Sequence, residues 1–372
     1  MASESPALEL FLELAAIPSP PGEERAVADA VLRYLRDLGL DPDEDDSGAE
    51  IGSTMGNVYA RLEPTTAGMP LFFCAHLDTV PPSGPLEPVV EDGVVRNAGG
   101  TILGADNKAA VVQMLEGVRR VLAENRPHAG IELVFTPKEE VGLIGAYAFD
   151  HERLHAEVGY VYDQAAPPGE IILGAPWSQA IQVRFHGRAA HSGMFPEEGR
   201  SAIQAAAKAI ADLRLGRVDD ESTANVGVIE GGTAGNIVPE WCTFLAEARS
   251  QSESKVSALV QEMLDAFSFA ATETDCEVET EIRKSYRGYS FRRDADAVAL
   301  AATALRVCGY EPTYAVSGGA ADANVFNERG RRCVNLANGM TDIHTPDERI
   351  SVEDLDGMVE VTLALVDAAR SA

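Results

Sequence analysis

The sequence lacks both a long apolar run and a pattern of paired cysteines. No apolar stretch among its 372 residues reaches the roughly 20 residues that a membrane-spanning helix needs. Its five cysteines are an odd number and include no CxxC pair, which argues against a disulfide framework and a thiolate zinc site. The amino-terminal segment has no basic stretch ahead of its apolar residues, so it predicts an amphipathic helix and not a signal peptide. A protein of the reducing cytoplasm fits these absences best.

Basic residues are scarce relative to acidic ones. The chain has 30 lysines and arginines against 59 aspartates and glutamates, which gives a formal charge of −29. Such a surface repels phosphate groups, and this argues against nucleic acid and anionic membrane surfaces as partners. The excess of acid has two explanations, adaptation to salt or simply an acidic surface, and the sequence does not separate them. With 45% hydrophobic and 24% charged residues, the composition is that of a globular protein with room for two domains.

Helices and strands alternate through the first part of the chain. Apolar residues at helical spacing predict helices over 6–16 and 23–38, and Gly39 is a stop signal after the second. Asp92-Gly93 predicts the turn of a hairpin, and Asp106 stands at the start of a long amphipathic helix. Strands are predicted over 57–62, 71–77, 131–136 and 158–163. This alternation predicts an α/β fold with a mostly parallel sheet covered by helices.

The pattern changes near Trp177 and changes back near Asp294. Between them the predicted order is strand, helix, strand, strand, helix, strand, which is the ferredoxin-like order. The predicted elements are 178–187, 201–213, 225–229, 241–248, 253–269 and 277–284. We therefore predict a catalytic domain in two pieces, 1–176 and 285–372, with a smaller α+β domain inserted at 177–284.

One strand of the first part ends in an unusual pair of polar residues. Leu71 to Ala75 form an apolar run that leads into His76-x-Asp78. Residues i and i+2 of an extended chain point to the same side, and ligands of open α/β sheets bind at the carboxyl ends of strands. Taken alone, the stretch is better explained as an ordinary strand end with a capping Asp and an incidental His.

Similar polar residues follow other apolar strands or precede a helix. They are Asp106, the pair Glu139-Glu140, Asp163 and, near the end of the chain, His344. Each has an ordinary alternative, namely a helix cap, a solvated charge pair, a turn residue and a loop histidine. Taken together, imidazoles and carboxylates suit zinc, cobalt or manganese. Five such ligands are too many for one open tetrahedral site but fit two ions that share a carboxylate.

Nine short motifs occur in an order that resembles one family. They are "AHLDTVP", "GADNKAA", "TPKEEVG", "YDQ", "GRAAHSG", "GNIVP", "EARS", "SGGAADANVF" and "IHTPDERI". The ordered set is similar to the dizinc exopeptidase and deacylase superfamily, which includes peptidase T, glutamate-releasing carboxypeptidase, succinyl-diaminopimelate desuccinylase and aminoacylase. The resemblance covers nearly the whole chain and is greatest to the peptidase T-like branch, through "GADNKA", "TPKEEVG" and "IHTPDERI".

The resemblance implies a site for two Zn²⁺ ions per subunit, with Co²⁺ or Mn²⁺ as alternatives. Asp106 would bridge both ions; His76 and Asp163 would complete one, and Glu140 and His344 the other. The fold that it implies is a dizinc exopeptidase-like catalytic domain with a ferredoxin-like insertion that serves as a lid or dimerisation domain.

The resemblance also implies the roles of residues that do not bind metal. Glu139, next to a ligand, would be the general base, and Asp78 would orient His76, as ligating imidazoles commonly require. A cis peptide is expected between Asp106 and Asn107.

Three residues of the insertion also match motifs of the family. His191 resembles the lid histidine that polarises the scissile carbonyl, and its alternative is a surface histidine. Asn236 and Arg249 resemble groups that hold a substrate carboxylate, for which a bidentate guanidinium is well suited. A turn asparagine and an exposed strand arginine are equally good interpretations of these two.

The function that follows is metal-assisted hydrolysis of an amide bond in a short peptide. An aminopeptidase acting on tripeptides is the first hypothesis, and a carboxypeptidase or an N-acyl-amino-acid deacylase or desuccinylase using the same site is the alternative. The presence of all five ligands and the adjacent base argues against a non-catalytic binding module. A homodimer is expected by analogy with the superfamily.

Overall fold

The computed structural model describes residues 5–371, apart from the side chain of Lys284. The chain divides into two compact units. One contains the residues up to Gly174 together with those from Ser290 onward, and the other is Ala175–Tyr289. The second unit encloses the predicted insertion at 177–284.

Ten α-helices lie in the described part of the chain. Several begin with a side-chain cap, since the hydroxyls of Ser5, Ser201, Ser252 and Ser351 each accept a hydrogen bond from a backbone N–H of the first turn. The helices are α1 Pro6–Ala15, α2 Arg25–Asp37, α3 Ser47–Ile51, α4 Ala105–Ala123, α5 Ile144–Ala148, α6 Ala202–Ala211, α7 Glu253–Thr274, α8 Asp296–Val307, α9 Asp322–Glu328 and α10 Val352–Ala369.

Seventeen strands accompany them in the same described residues. They are β1 Asp43–Glu44, β2 Val58–Leu62, β3 Leu71–His76, β4 Pro88–Glu91, β5 Val94–Asn97, β6 Ile131–Thr136, β7 Val158–Gln164, β8 Glu170–Ala175, β9 Trp177–His186, β10 Gly216–Asp219, β11 Ser222–Gly231, β12 Trp241–Ser250, β13 Glu277–Tyr286, β14 Tyr289–Ser290, β15 Thr313–Val316, β16 Arg332–Ala337 and β17 Arg349–Ser351.

The large sheet has the order β1-β2-β6-β3-β7-β16-β8-β14, with β15 beside β8. Its central strands β6, β3, β7 and β16 are parallel to one another, and every residue of β3 and β6 is buried. Burial on both faces is typical of parallel strands under two layers of helices. The predicted α/β class with a mostly parallel, helix-covered sheet is confirmed, although β2 and β8 add antiparallel pairs at its flanks.

The two faces of this sheet are covered by different helices. On one face α4 packs against β3 and β7, α8 packs against β16, and α10 packs on α4 and α8. That face contributes Phe73 and Tyr160 to the main hydrophobic core. On the other face α9 packs against β3, β7 and β16. Glycine is required there at position 159, because a Cβ atom would come within 2.2 Å of the Phe72 ring.

The register of the parallel strands brings their carboxyl ends level. Leu71 of β3 pairs with Ile131 of β6 and with Val158 of β7, and the pairing with β6 continues as far as His76 and Thr136. Residues that end or follow these three strands therefore lie at one edge of the sheet.

The second unit has a five-stranded sheet of order β10-β11-β12-β9-β13, and all its strand pairs are antiparallel. Helices α6 and α7 pack on one face, over a core that includes Phe185, Phe244 and Phe267. Without β10, the strand order and the two helices are those of the predicted ferredoxin-like fold. The edge of the sheet is partly open, since β10 pairs with only Ser222, Thr223 and Ala224 of β11.

None of the helices in the described chain is both long enough and apolar enough to span a bilayer.

Candidate metal centre

The level carboxyl ends of three parallel strands supply four of the predicted site residues. His76 is the last residue of β3, Asp163 lies near the end of β7, and Glu139 and Glu140 follow β6. The Nε2 atom of His76 lies 3.9 Å from Oδ1 of Asp163. The parallel register thus brings together residues that are far apart in the sequence.

Asp106 lies between the two predicted imidazole ligands. Its Oδ1 atom is 3.2 Å from Nε2 of His76, and its Oδ2 atom is 3.1 Å from Nε2 of His344. The predicted cis peptide between Asp106 and Asn107 is confirmed. Asp106 is not the N-cap of α4, because Gly104 occupies that position and Asp106 has non-helical φ and ψ of −81° and 102°. Each carboxylate oxygen thus faces a different histidine.

His344 reaches the site from a loop between β16 and β17. Its backbone is left-handed, with φ of 64°, and its Nε2 atom lies 3.0 Å from Oε1 of Glu140. His344 is partly exposed, whereas Asp106 and Glu140 are largely buried. The His344 imidazole therefore lies on the solvent side of the buried carboxylates of Asp106 and Glu140.

All five predicted ligands and the predicted base converge on this edge. The potential ligand atoms of His76, Asp106 and Glu140 lie within 4.8 Å of one another, and so do those of His76, Glu139 and Asp163. The donors are imidazole nitrogen and carboxylate oxygen, with no thiolate, which is the chemistry that zinc, cobalt and manganese bind. The residues present thus fit a pair of such ions.

Asp78 is fully buried and contacts three of the site residues. Its carboxylate accepts hydrogen bonds from the backbone N–H groups of Glu139 (2.9 Å) and Glu140 (3.0 Å). The Nδ1 atom of His76 lies 2.9 Å from the backbone carbonyl of Asp78 but 3.5 Å from its carboxylate. Asp78 thus holds His76 mainly through its main chain, while its side chain fixes the two glutamates.

The concentration of buried charge shifts the pKa values of the site. Burial raises the pKa of Glu139 well above its usual value, and burial together with the nearby Asp106 does the same for Asp163. Burial would also raise the pKa of Asp106, but hydrogen bonds from His344 and His76 lower it below its usual range. Hydrogen bonds to Asp106 and Glu140 raise the pKa of His344 to about 10. A bound cation would relieve this repulsion among carboxylates.

His191 and Asn236 lie together within the second unit. Residues His191 and Ile237 form an isolated antiparallel bridge, and the N–H of Ser192 donates to the carbonyl of Asn236 at 3.0 Å. Both His191 and Asn236 are exposed. The Nδ1 atom of His191 accepts from the N–H groups of Gly193 and Met194, each at 3.2 Å. This acceptor role places the proton of a neutral His191 on Nε2.

Arg249 lies at the opposite end of β12 from the Asn236 loop, because that loop precedes Trp241, the first residue of the strand. Its guanidinium donates to both carboxylate oxygens of Glu247, at 2.7 and 3.0 Å, and stacks on Tyr286 at 5.9 Å from the ring centroid. Arg249 is half-buried, and it does not share a binding position with Asn236 inside this unit.

Comparison with known proteins places the chain among peptidases. A model of peptidase family M20/M25/M40 matches residues 72–368. This chain belongs to that family. The uncharacterised protein YqjE of Bacillus subtilis strain 168 is 40% identical to it over 99% of this chain and 100% of its own length.

Two solved structures of this family share both fold and sequence with the chain. Aminopeptidase PepT from Bacillus cereus ATCC 10987 is 38% identical, with a TM-score of 0.90 over 98% of each chain. A tripeptidase from Staphylococcus aureus subsp. aureus Mu50 is 34% identical, with a TM-score of 0.94 over 98% of each chain. The predicted resemblance to peptidase T-like enzymes is confirmed, and the protein is a hydrolase that acts on peptides.

Two buried carboxylates of this M20 site were not predicted from the sequence. Glu348 accepts backbone hydrogen bonds from the segment that leads into Asp106. Asp322, at the start of α9, accepts from the hydroxyl of Thr136 at 2.5 Å, and burial raises its pKa to about 6. Both lie within motifs singled out above, "IHTPDERI" and "SGGAADANVF". An acidic residue inside a motif is the only signal that could have indicated them.

Asn335 is a third residue that sequence reasoning missed. Its side-chain oxygen accepts from the N–H of Asp163, and its amide nitrogen donates to the Asp163 carbonyl, both at 2.8 Å. This pair of bonds imitates a strand partner and fixes the backbone of Asp163. Nothing in the sequence near Asn335 distinguishes it from an ordinary strand residue.

We predict that Asp106→Ala removes more metal than the loss of any other single ligand. The reason is that only Asp106 presents an oxygen to each of the two histidines. Metal content of the purified protein, measured by atomic absorption, tests this, with Asp163→Ala as the control that should lose less. If Asp106→Ala still bound one ion at full occupancy, the bridging role would be contradicted.

Proposed function

We propose that this protein is a metal-dependent aminopeptidase that acts on short peptides, with tripeptides as its preferred class. The observation that carries the proposal is the position of Asp106, whose two carboxylate oxygens face His76 and His344, with Glu139 and Glu140 beside them. The names of the two similar structures, an aminopeptidase and a tripeptidase, favour this substrate class over other amides.

Two divalent ions per subunit would be held by residues already in contact. His76 and Asp163 would hold one ion and Glu140 and His344 the other, with Asp106 shared. Zinc is our first choice for a set of nitrogen and oxygen donors, with cobalt or manganese as alternatives. When bound, the ions would lower the pKa of water to about 7 and polarise the scissile carbonyl.

Glu139 would move the proton in this reaction. Its carboxylate would accept a proton from the attacking water and later deliver it to the leaving amine. The backbone N–H bond to Asp78 at 2.9 Å fixes Glu139 next to Glu140 without using its own carboxylate, which leaves both oxygens available. Burial of Glu139, 9% exposed, keeps bulk water from competing for the proton.

His191 would stabilise the oxyanion that forms on the substrate. Because Nδ1 already accepts two backbone N–H bonds, Nε2 is the donor and is directed away from its own loop. Asn236 beside it would offer a side-chain amide to the substrate backbone or carboxylate. Arg249 remains a candidate for a substrate carboxylate, but it would have to exchange its bond to Glu247.

A substrate panel distinguishes this function from its alternatives. Tripeptides, dipeptides, amino-terminally blocked peptides and N-acetyl and N-succinyl amino acids would be incubated with the cobalt- or zinc-loaded protein. We expect release of the amino-terminal residue from free tripeptides and no cleavage of blocked ones. Release of the carboxyl-terminal residue would favour a carboxypeptidase, and hydrolysis of acylated amino acids a deacylase.

We also propose that the protein is a cytoplasmic homodimer. Residues 225–231 of β11 have no strand partner on their outer side within the described chain, and Val228 and Ile229 there are exposed. An open edge of this kind can pair with a second copy, and light scattering that gave a monomer mass would contradict the dimer.

The proposed cytoplasmic location is supported by the cysteines. All five lie in the described chain as free thiols, which fits a reducing compartment.

We predict that Glu139→Gln retains both metal ions and loses nearly all turnover, because the amide cannot accept a proton. The neighbouring Glu140→Gln is the matched control, and it should instead lose metal. Metal analysis and kcat would be measured for both variants. Loss of metal from Glu139→Gln would show that the roles of the two glutamates are exchanged.

We predict that His191→Ala leaves metal content and melting temperature unchanged and lowers kcat and kcat/KM alike. Loss of one oxyanion donor costs on the order of 10²–10³ in kcat, and an equal effect on both constants indicates a contact made in the transition state. His186→Ala, in the same unit and stacked on Trp241, is the control and should retain activity. A His191→Ala enzyme within about threefold of wild type, far below that range, would exclude the role.

A further inference from the structure

Glu348 is a buried carboxylate that the proposed reaction does not use. It is 1% exposed. Its Oε2 atom accepts the N–H groups of Leu103 and Gly104 at 2.8 and 2.9 Å, and its Oε1 atom accepts that of Asp106 at 2.9 Å. Hydrogen bonds to an ionised acceptor are short and about twice as strong as neutral ones. Three of them hold the segment that presents Asp106.

The same glutamate belongs to the loop that carries His344. This loop is closed at its base, because Thr341 and Arg349 exchange backbone hydrogen bonds of 3.0 and 3.1 Å. Within it, Asp342 and His344 both have left-handed backbones, with φ of 52° and 64°. A loop with two such residues needs fixed contacts to keep one conformation. Glu348 supplies three of these contacts from inside the loop.

The Glu348 carboxylate therefore links two segments, those of Asp106 and His344, that would supply ligands to the ion held by Glu140 and His344. Asp106 and His344 are far apart in the sequence, yet their side chains approach to 3.1 Å. A shift of either segment would change that distance. A neutral side chain in place of Glu348 could also fill the space near Leu103 and Gly104. A charged side chain adds to the repulsion from the Asp106 carboxylate, which argues against a purely structural role in the metal-free protein.

We propose that Glu348 is a positioning residue for the metal pair, which holds the His344 loop against the backbone of Asp106 so that the ion bound by His344 and Glu140 is held tightly. This inference rests on the proposed function, because it requires metal ions at the site. Residues that support ligands from behind typically contribute 10- to 100-fold in metal affinity.

The test is a cobalt titration of the metal-free, full-length protein, followed by its visible d–d absorption. In Glu348→Gln, one oxygen remains an acceptor, but an amide NH₂ replaces the other and faces a backbone donor. We expect one of the two cobalt ions to bind about 10- to 100-fold more weakly. The absorption that is lost should match the absorption lost in His344→Ala and differ from that lost in Asp163→Ala.

Glu132→Gln is a matched control in the same unit. Glu132 is likewise buried and accepts backbone N–H groups, those of His155 at 3.0 Å and Ala156 at 2.7 Å. It lies near the start of β6, at the opposite end from the site. This variant should bind both cobalt ions with wild-type affinity. Its melting temperature measures how much stability is lost when a buried carboxylate that accepts backbone hydrogen bonds is replaced away from the metal site.

The outcomes separate the inference from the proposed function. Equal cobalt affinity in Glu348→Gln and wild type, or an equal loss in Glu132→Gln, would overturn the positioning role alone. Wild-type protein that binds no cobalt would overturn the proposed function and this inference with it. If Glu348→Gln does not fold, Glu348→Asp keeps the charge but shortens its reach. Weaker binding of one ion in that variant supports the role, and unchanged binding overturns it.

Discussion

Mutual repulsion among buried carboxylates is the constraint on which the site depends. Asp106, Glu139, Glu140 and Asp163 lie at one edge of the large sheet, where burial makes charge costly unless it is paired. Two imidazoles compensate part of it by contacts to Asp106 and Glu140. Carboxylates gathered in this way are favourable when cations are bound, so the arrangement is built for a ligand and not for the stability of the chain itself.

The surrounding structure resists that repulsion through hydrogen bonds to backbone N–H groups. The Asp78 carboxylate fixes the amides of Glu139 and Glu140, the Glu348 carboxylate fixes that of Asp106, and the Asn335 side chain fixes that of Asp163. In each case the bond is made to the main chain of an acidic residue. The side chains of these residues remain available for metal or for a proton, and their positions are still determined.

Much of the fold could be predicted because its signals are local. The run 131–136 was predicted as a strand and is β6, since all of its six residues except Glu132 are apolar or β-forming and the run lies between turn signals. Strand β8 was missed, although Ile171 and Ile172 are buried. Its partners are β14, β15 and β16, all more than 110 residues away along the chain, and no local pattern reports such a pairing. Short elements such as β1 and α3 were missed for the same reason, because they depend on neighbours and not on periodicity.

The amino-acid sequence was enough to predict the metal ligands and the general base, because the ordered motifs give residue type and neighbours at once, but it did not indicate Glu348, Asp322 or Asn335. It also indicated the class of chemistry, since only imidazoles and carboxylates are present among the predicted ligands. How these residues meet could be seen only in the folded chain. The parallel register brings His76, Glu139 and Asp163 to one edge. The backbone hydrogen bonds that the Glu348 carboxylate accepts link the His344 loop to Asp106. Distances of about 3 Å between residues hundreds of positions apart arise from strand pairing and loop closure, and these are properties of the whole chain that no single motif contains.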